Sequence, residues 1–365
     1  MNLFKSESDR YTKEHLSARE AQRQAEYIAW APIIFQVSRL MIRWGILDHL
    51  RDSVGGMTLA DMQQKTGLSE YVLKILLEAS LSIGTVLIDK TTDCYTISKT
   101  GWFLLTDPAT RVNIDFNHDV NYRGMFYLDE ALKEGKPAGL KTLGDWHTIY
   151  EGLSKLDEQV QRSWFGFDHF YSDNSFDTAL EIVFGKNTVK HVMDVGGNTG
   201  RFALRCVDHD KDVKVTIVDL PGQIGMMQNN IKGKNGAERI SGYSTNILEE
   251  CNELPQGSWD AIWMSQFLDC FSEEEICSIL KRAAKVMTSA TTLYIMETFW
   301  DRQKYEPASL CLTMTSVYFT VMANGNSKMY HSDDMIKQIE RAGLKVVAAH
   351  DGIGQGHTIL EVKLK

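Results

Sequence analysis

A glycine-rich turn followed by an acid is the clearest chemical signal in this sequence. The segment HVMDVGGNTG joins a short apolar strand to an amphipathic helix through Gly196, Gly197 and Gly200. A second apolar strand follows the helix and ends at Asp219. A strand, a glycine turn, a helix and a strand in this order predict a nucleotide-like ligand in a parallel sheet, with the Asp219 carboxylate placed to accept ribose hydroxyls.

The spacing of the turn indicates the class of nucleotide. A dinucleotide fingerprint requires G-x-G-x-x-G, and neither Gly196 nor Gly197 starts such a pattern. The pattern D-x-G-x-G-x-G fits, with Asp194, Gly196, Asn198 and Gly200 in its four places. Asparagine is the non-glycine residue best able to adopt left-handed backbone conformations. The pattern resembles the first motif of class I S-adenosylmethionine methyltransferases; the alternative is an ordinary turn between a strand and a helix.

Polar residues also follow the later predicted strands. Asp269 follows the apolar segment DAIWMSQFL, and Glu297 ends the strand in IMETFW. The carboxyl ends of parallel strands meet at one edge of a sheet, and ligands bind there. We therefore expect Gly196, Asp219, Asn246, Asp269 and Glu297 to face one crevice.

The N-terminal region predicts helices and a short hairpin. Residues 11–50 form a largely apolar helical stretch, with a break expected near Pro32. A helix this apolar must be buried, and the expected partner is a second subunit. Thr58 and Ser69 are predicted N-caps of later helices, and the strands VLID and CYTIS follow them. This order outlines a winged helix.

A winged helix invites a DNA-binding interpretation, which the charge distribution opposes. Acidic residues outnumber basic ones between Leu40 and Asp107. Because DNA affinity depends mainly on neutralising phosphates, we expect a dimerisation domain and no nucleic-acid partner.

The segment 111–184 is helical and rich in aromatic side chains, which suits the walls of a pocket for a planar substrate. A hydrophobic core joining two domains is the alternative. Asp168 and His169 are the polar exceptions in FGFDHFY. His169 is a candidate catalytic residue, although a histidine among aromatic rings more often has a structural role.

Strands and helices alternate from residue 191 onwards, and the last two strands are expected to form an antiparallel pair. Ser272 and Glu275 are predicted to form a capping box at the start of one helix, and Ser332 is predicted to cap a later one. The alternation of strands and helices predicts an α/β fold with a doubly wound sheet, and the resemblance of the glycine turn implies a Rossmann-like seven-stranded methyltransferase sheet with an N-terminal helical winged-helix dimerisation domain. The expected domains are 1–110 for dimerisation and 111–365 for cofactor binding, the latter including the pocket helices of 111–184.

The composition is that of an ordinary globular protein, with 43% hydrophobic and 24% charged residues among 365. This length favours two domains. No apolar run reaches membrane-spanning length, and the polar N-terminus favours a cytoplasmic protein. The net charge of -9 disfavours polyanionic partners. The six cysteines contain no C-x-x-C pair, so we expect free thiols and no metal site.

Over its whole length the chain resembles the two-domain small-molecule O-methyltransferases, which include plant phenolic and hydroxyindole O-methyltransferases and bacterial polyketide-tailoring relatives. The resemblance rests on DVGGNTG, VDLPG and WDAIWMSQFLDCFSEEE. It implies S-adenosylmethionine as the cofactor, a homodimer, and a small-molecule hydroxyl acceptor. The cofactor-binding residues that it implies are Asp194, Gly196, Gly197, Gly200, Asp219, Leu220, Asn246, Ile247 and Ser265.

The chain departs from this family at the catalytic base. The histidine of the family's L-H-D-W stretch corresponds to Asp269, whereas the acid that orients it is retained as Glu297. Aspartate is a much weaker base than histidine unless burial or a nearby carboxylate raises its pKa. Three mechanisms stay open: Asp269 is the base, His169 replaces it, or an acidic acceptor hydroxyl needs no strong base. Without a catalytic role, Asp269 would stabilise the start of the next helix.

The leading hypothesis is an S-adenosylmethionine-dependent transfer of methyl to a hydroxyl of a small aromatic or polyketide-like molecule. The alternative is a methyltransferase-like protein that binds S-adenosylmethionine without transferring methyl and acts as a sensor or a partner-binding module.

Overall fold

The computed structural model describes residues 11–185, 188–249 and 251–365. The chain divides into two compact units. The smaller unit is Thr12–Asp119, and the larger one contains Val120–Lys365 together with Tyr11.

The smaller unit consists of helices and one hairpin around a core of aliphatic side chains. The predicted N-caps are confirmed, because Thr58 accepts the N–H of Asp61 and Ser69 accepts that of Val72. The hairpin pairs β1 (Val86–Asp89) with β2 (Cys94–Ile97) in antiparallel register. The helices are α1 (Ala18–Arg43), α2 (Ile46–Asp52), α3 (Leu59–Thr66), α4 (Glu70–Ile83), α5 (Lys99–Thr106) and α6 (Pro108–Phe116).

Helix α1 corrects one expectation, since it continues through Pro32 without a break. Proline removes one backbone hydrogen bond, the one that would reach the carbonyl of Ile28. The side chain of Ile28 is 68% exposed, so this stretch of the helix is open to water, which can bond that carbonyl instead. The capping box at Ser17 and Glu20 fixes the start of the helix.

The larger unit begins with helices, as expected for this aromatic segment. They are α7 (Leu128–Glu134), α8 (Ile149–Gly152), α9 (Glu158–Asp173) and α10 (Phe176–Phe184), with short 3-10 turns at Gly124–Tyr127, Ala138–Thr142 and Leu153–Lys155. A π-helical turn, Asn117–Asn121, precedes them.

A seven-stranded sheet forms the centre of the larger unit and confirms the predicted fold class. Its order is β5-β4-β3-β6-β7-β9-β8, in which the first five strands are parallel and β9 runs antiparallel to both of its neighbours, β7 and β8. The strands are β3 (His191–Val195), β4 (Lys214–Asp219), β5 (Ile240–Ser244), β6 (Ala261–Ser265), β7 (Thr292–Glu297), β8 (Leu344–Ile353) and β9 (His357–Leu364). All five parallel strands therefore point their carboxyl ends at one edge, as the sequence predicted.

Helices cover both faces of this sheet. Helices α10, α11 (Arg201–His209) and α12 (Pro221–Ile231) pack on one face, and α13 (Glu273–Val286) and α15 (Ser332–Arg341) pack on the other. Helix α14 (Glu306–Tyr318) follows β7 in the chain. Buried residues of the central strands contribute to both layers, with Ile262 and Met264 on one side and Trp263 on the other. The central strands are therefore held rigidly between two apolar cores.

Two helix starts compare directly with the sequence analysis. The capping box of Ser272 and Glu275 at α13 is confirmed. The predicted cap of α15 was wrong by one residue, because His331 accepts the N–H of Asp333 and the helix begins at Ser332. The hydroxyl of Ser332 donates instead to Asp301, at 2.6 Å.

Candidate active site

The glycine turn after β3 has the backbone geometry that its residue types predict. Gly196 and Gly200 both have φ of 79°, and Asn198 has φ of 47°, in the left-handed region. Asparagine thus takes the conformation of the glycine that the motif would otherwise contain. Its side-chain oxygen lies 3.4 Å from the amide nitrogen of Gln223, which anchors the turn to α12.

Close packing explains why the turn contains glycine. A Cβ atom on Gly196 would lie 2.3 Å from the ring of Phe267, and one on Gly197 would lie 2.7 Å from Oδ2 of Asp194. Neither distance is possible for real atoms. The turn is therefore folded tightly over the end of β3 and against the loop that follows β6.

Asp219 at the end of β4 is tied to this turn. Its Oδ2 accepts the N–H of Asn198 at 2.8 Å, and its Oδ1 accepts the N–H of Leu220 at 2.7 Å. Burial raises the pKa of Asp219, and the two backbone hydrogen bonds partly oppose that shift. The carboxylate is thus held in a fixed orientation against the turn.

Asp194 lies beneath the turn, only 2% exposed. Its Oδ2 makes no hydrogen bond to any residue that the structure describes. Burial, with a contribution from the charge of Asp219, raises the pKa of Asp194 to about 8. At neutral pH this carboxyl is therefore mainly protonated until a cationic group binds beside it.

A cavity of about 90 Å³ opens beside the turn. It brings together five residues that the sequence analysis selected: His169, Asp194, Gly196, Gly197 and Ser265. Helix α9 and strands β3 and β6 supply its walls. His169 therefore lies at the same end of the site as Asp194.

The remaining predicted cofactor residues do not line this cavity, and of the five residues expected to face one crevice only Gly196 lines it. The backbone N–H of Leu220 orients Asp219, as described above, and Gly200, at the start of α11, packs tightly on Met227. Asn246 and Ile247 form the loop after β5, where Oδ1 of Asn246 accepts the N–H of Leu248 at 3.1 Å. Arg282 donates to the carbonyl oxygen of Ile247 and holds this loop against α13.

Asp269 and Glu297 form a buried pair of carboxyl groups at the ends of β6 and β7. Oε1 of Glu297 accepts the N–H groups of Phe267 and Leu268, at 3.1 and 2.9 Å. Glu297 thereby fixes the 3-10 turn Leu268–Cys270 that carries Asp269. Asp269 is 5% exposed, and the thiol of Cys270 donates to its Oδ1 at 3.5 Å.

Burial changes the acidity of both groups. It raises the pKa of Asp269 to about 6, while the Cys270 contact acts in the opposite direction. Burial and then the charge of Asp269 raise the pKa of Glu297 well above its usual range. Two carboxyl groups this close ionise one after the other. Asp269 therefore binds a proton more readily than an exposed aspartate does.

Hydroxyl and indole groups lie near this pair. The hydroxyl of Tyr150 is buried beside Cys270 without a hydrogen bond of good geometry to any described residue, and burial raises the pKa of Tyr150 well above its usual value. The indole Nε1 of Trp164 donates to the hydroxyl of Tyr318 at 2.8 Å. The polar groups of Tyr150 and Tyr318 thus lie near Asp269.

Sequence reasoning missed three residues of this site: Gln266, Cys270 and Tyr150. Gln266 lines the cavity, whereas Cys270 and Tyr150 stand beside Asp269. The polar residue in the apolar run WMSQFL was a weak signal for Gln266. No sequence pattern pointed to Tyr150, because its proximity to Cys270 comes from folding alone.

The sheet order, the glycine turn and the acid at the end of β4 together define a Rossmann-like methyltransferase fold. Comparison with known families identifies the group. The family model of the O-methyltransferase domain matches residues 127–344, more than half of the chain, and that of the Dimerisation2-like domain matches residues 22–95. The chain belongs to the O-methyltransferase domain family, as its motifs predicted.

Similar proteins include bacteriochlorophyllide d C-20 methyltransferase of Chlorobaculum tepidum, 29% identical over 31% of this chain and 32% of the relative. Norreticuline-7-O-methyltransferase of Papaver somniferum is 27% identical over 55% of this chain and 52% of the relative. The chain thus spans from about a third to about half the length of these curated relatives.

Two solved structures share the fold. Mitomycin 7-O-methyltransferase has a TM-score of 0.69 at 16% identity, over 94% of this chain and 98% of that one. An O-methyltransferase of neocarzinostatin biosynthesis, solved with S-adenosylmethionine and 2-hydroxy-5-methyl naphthoic acid, has a TM-score of 0.62 at 20% identity, over 91% of this chain and 96% of that one.

Among the residues that the structure describes here, no helix is long and apolar enough to cross a membrane.

Proposed function

We propose that this protein is an S-adenosylmethionine-dependent O-methyltransferase that acts on a hydroxyl of a small aromatic or polyketide-like molecule. One observation carries the proposal: the glycine turn of the family motif lies at the same edge of the sheet as the buried carboxyl pair of Asp269 and Glu297. Asp194 lies beneath this turn and Asp219 is hydrogen-bonded to it.

The residues at this edge fit the cofactor. Asp219 is fixed by the backbone of Asn198 and Leu220 and suits the two ribose hydroxyls. Oδ2 of Asp194 has no hydrogen-bond partner among the described residues and suits a cationic group of the ligand. Asn246 and Ile247 are proposed to flank the adenine, and Ser265 lies in the cavity wall. When bound, S-adenosylmethionine supplies an electrophilic methyl group on a sulfonium.

Asp269 is the proposed proton acceptor. The Asp269 carboxylate would accept the proton of the acceptor hydroxyl as that oxygen takes up the methyl group, and S-adenosylhomocysteine would be the leaving group. With the pKa of Asp269 at about 6, this carboxylate is ionised at neutral pH. A simple phenol has a pKa near ~10, so transfer to Asp269 is uphill, and acceptors with more acidic hydroxyls should react faster.

The experiment is a pH profile of methyl transfer over a panel of phenols of graded acidity. Asp269→Asn should slow weakly acidic phenols by about 100-fold or more, with a much smaller effect on phenols that are already ionised. Asp129→Asn, at an exposed surface position, is the control. Equal activity of Asp269→Asn and the wild type on every phenol would exclude Asp269 as the base and leave His169 or an unassisted reaction.

A second candidate is binding of S-adenosylmethionine without methyl transfer, in a sensor or partner-binding module. The observation that favours it is the carboxyl pair of Asp269 and Glu297 where the family has a histidine and an acid. Calorimetric binding of S-adenosylmethionine and S-adenosylhomocysteine, with NAD as control, tests both candidates. Binding with no turnover on any acceptor supports the second.

We further propose a homodimer. Helix α1 exposes Ile28, Trp30 and Ile33, each more than half accessible, and the Dimerisation2-like match covers most of this helix. In sedimentation experiments Trp30→Glu should produce monomers, whereas Gln24→Glu on the same helix should leave the dimer intact.

Six described cysteines are free thiols, which supports a reducing, cytoplasmic location.

A further inference from the structure

Cys270 stands directly beside the proposed base. Its thiol donates to Oδ1 of Asp269 at 3.5 Å, and no other side chain among the described residues donates to that carboxyl group. Burial raises the pKa of the Cys270 thiol well above its usual value, so the sulfur keeps its proton at neutral pH. The thiol is therefore a neutral donor to the carboxyl group that has to take up a proton.

The short turn that carries both residues is fixed on two sides. Glu297 holds its first backbone N–H groups, as described above. On the other side Nδ2 of Asn324 donates to the carbonyl oxygen of Cys270. The hydroxyl of Tyr330 donates to the carbonyl oxygen of Phe271 at 2.6 Å. The backbone beneath the thiol and the carboxyl group is therefore held by hydrogen bonds to three other segments of the chain.

The hydroxyl of Tyr150 supplies an independent observation. Its oxygen is buried beside Cys270 and makes no hydrogen bond of good geometry to any described residue. A buried hydroxyl without a partner is costly, so native structures rarely retain one without a reason. A thiol can accept one hydrogen bond while it donates another. A small rotation of the Tyr150 hydroxyl thus gives it the sulfur of Cys270 as an acceptor and leaves the thiol proton directed at Asp269.

The other described groups that act on Asp269 carry no charge at neutral pH. Burial, followed by the charge of Asp269, raises the pKa of Glu297 well above its usual range, so the Glu297 carboxyl is protonated. Burial also raises the pKa of Tyr150 on α8, of Tyr318 on α14 and of Tyr330 just before α15. None of these groups supplies a positive charge that would favour a carboxylate at Asp269. The thiol is therefore the side chain that favours it.

We propose that Cys270 is a positioning residue for methyl transfer: its thiol holds Asp269 as a carboxylate that can accept the proton of the acceptor hydroxyl. This inference rests on the proposed function, in which Asp269 is the base. A hydrogen bond to the charged form of an acid favours that form, so loss of the thiol should raise the pKa of Asp269. Because a thiol is a weak donor, we expect a rise of about half to one pH unit.

The experiment measures the pH profile of kcat/KM for a weakly acidic phenol in the wild type and three variants. In Cys270→Ala the acidic limb should move to higher pH, which makes the variant about three- to tenfold slower at pH 5 and leaves it unimpaired at pH 8. Cys270→Ser keeps a donor, so its midpoint should lie at or below that of the wild type. Cys94→Ala is the matched control, because it removes a half-buried thiol that donates to the carbonyl oxygen of Thr92 and not to a carboxylate.

Carbon-13 NMR of the aspartate carboxyl groups gives the same quantity without turnover. The Asp269 signal is identified by its absence from the spectrum of Asp269→Asn. Its titration midpoint should be higher in Cys270→Ala than in the wild type. Should the alanine variant fail to fold, Cys270→Val fills the space of the thiol without a donor and should show the same rise.

Two outcomes would overturn the proposal. If the NMR midpoint of Asp269 is the same in Cys270→Ala and in the wild type, the thiol does not favour the carboxylate. If kcat/KM falls equally at every pH and its midpoint stays in place, Cys270 only fills space. A wild type that transfers methyl to no phenol would overturn the proposed function. In that case the NMR comparison still decides whether the thiol stabilises the Asp269 carboxylate.

Discussion

Replacing Asp194 by asparagine should change how the stability of the empty protein depends on pH. The carboxyl is buried beneath the glycine turn, and its pKa rises from 3.8 to about 8 on folding. Between these values the unfolded chain has released the proton and the folded protein still holds it. The stability of the wild type therefore falls as pH rises from about 4 to about 8.

The magnitude follows from the size of this window. One pH unit corresponds to about 1.4 kcal/mol, so the three units from pH 4 to pH 7 correspond to an upper limit of about 4 kcal/mol. An asparagine side chain at this position is neutral throughout and lacks this dependence. Relative to the wild type, Asp194→Asn should therefore gain up to about 4 kcal/mol of stability over this range.

The assay is urea denaturation of both proteins, without ligand, at several pH values between 4 and 8. The quantity to compare is the difference between the two unfolding free energies at each pH, since other titrating groups cancel in it. A difference in unfolding free energy that grows steadily towards pH 8 supports a buried, protonated Asp194. A difference that stays constant with pH would refute the argument and mean that Asp194 is ionised in the empty site.

Three further predictions concern the turn and the carboxyl pair. Gly196→Ala places a Cβ atom 2.3 Å from Phe267 at a left-handed φ, so it should lower the melting temperature and the affinity for S-adenosylhomocysteine. Gly222→Ala is the control: its Cβ atom would have no described atom within 4 Å, and neither quantity should change. Ser272→Ala removes a capping box and should cost about 1 kcal/mol in chemical denaturation without altering ligand affinity. Below pH 6 the kcat/KM for a weakly acidic phenol should fall about tenfold per pH unit as Asp269 of the free enzyme becomes protonated, and a flat profile down to pH 5 would rule out this base.

Local patterns in the sequence determined most of the fold. The N-caps at Thr58, Ser69 and Ser272 depend on residues three positions away, so they could be read directly. Apolar strands alternating with helices predicted parallel pairing, and chain direction alone then placed Asp219 and Glu297 at one edge of the sheet. These conclusions required no knowledge of long-range packing.

Competition between local and distant partners produced the errors. Ser332 was a plausible cap, but its hydroxyl bonds Asp301, which is 31 residues away. Pro32 was expected to break α1, but an exposed stretch of helix accommodates it. In both cases the conformation that the local sequence favours was overridden by the structure around it.

The chemistry of the site was decided by tertiary structure. The sequence determined which acids stand at the strand ends, and the turn pattern determined where the cofactor should bind. Only folding placed Glu297 on the backbone of Phe267 and Leu268, and only folding turned Gln266 into the cavity. The acidity of Asp194 and Asp269 likewise depends on burial, which is a property of the packed structure and cannot be read from neighbouring residues in the chain.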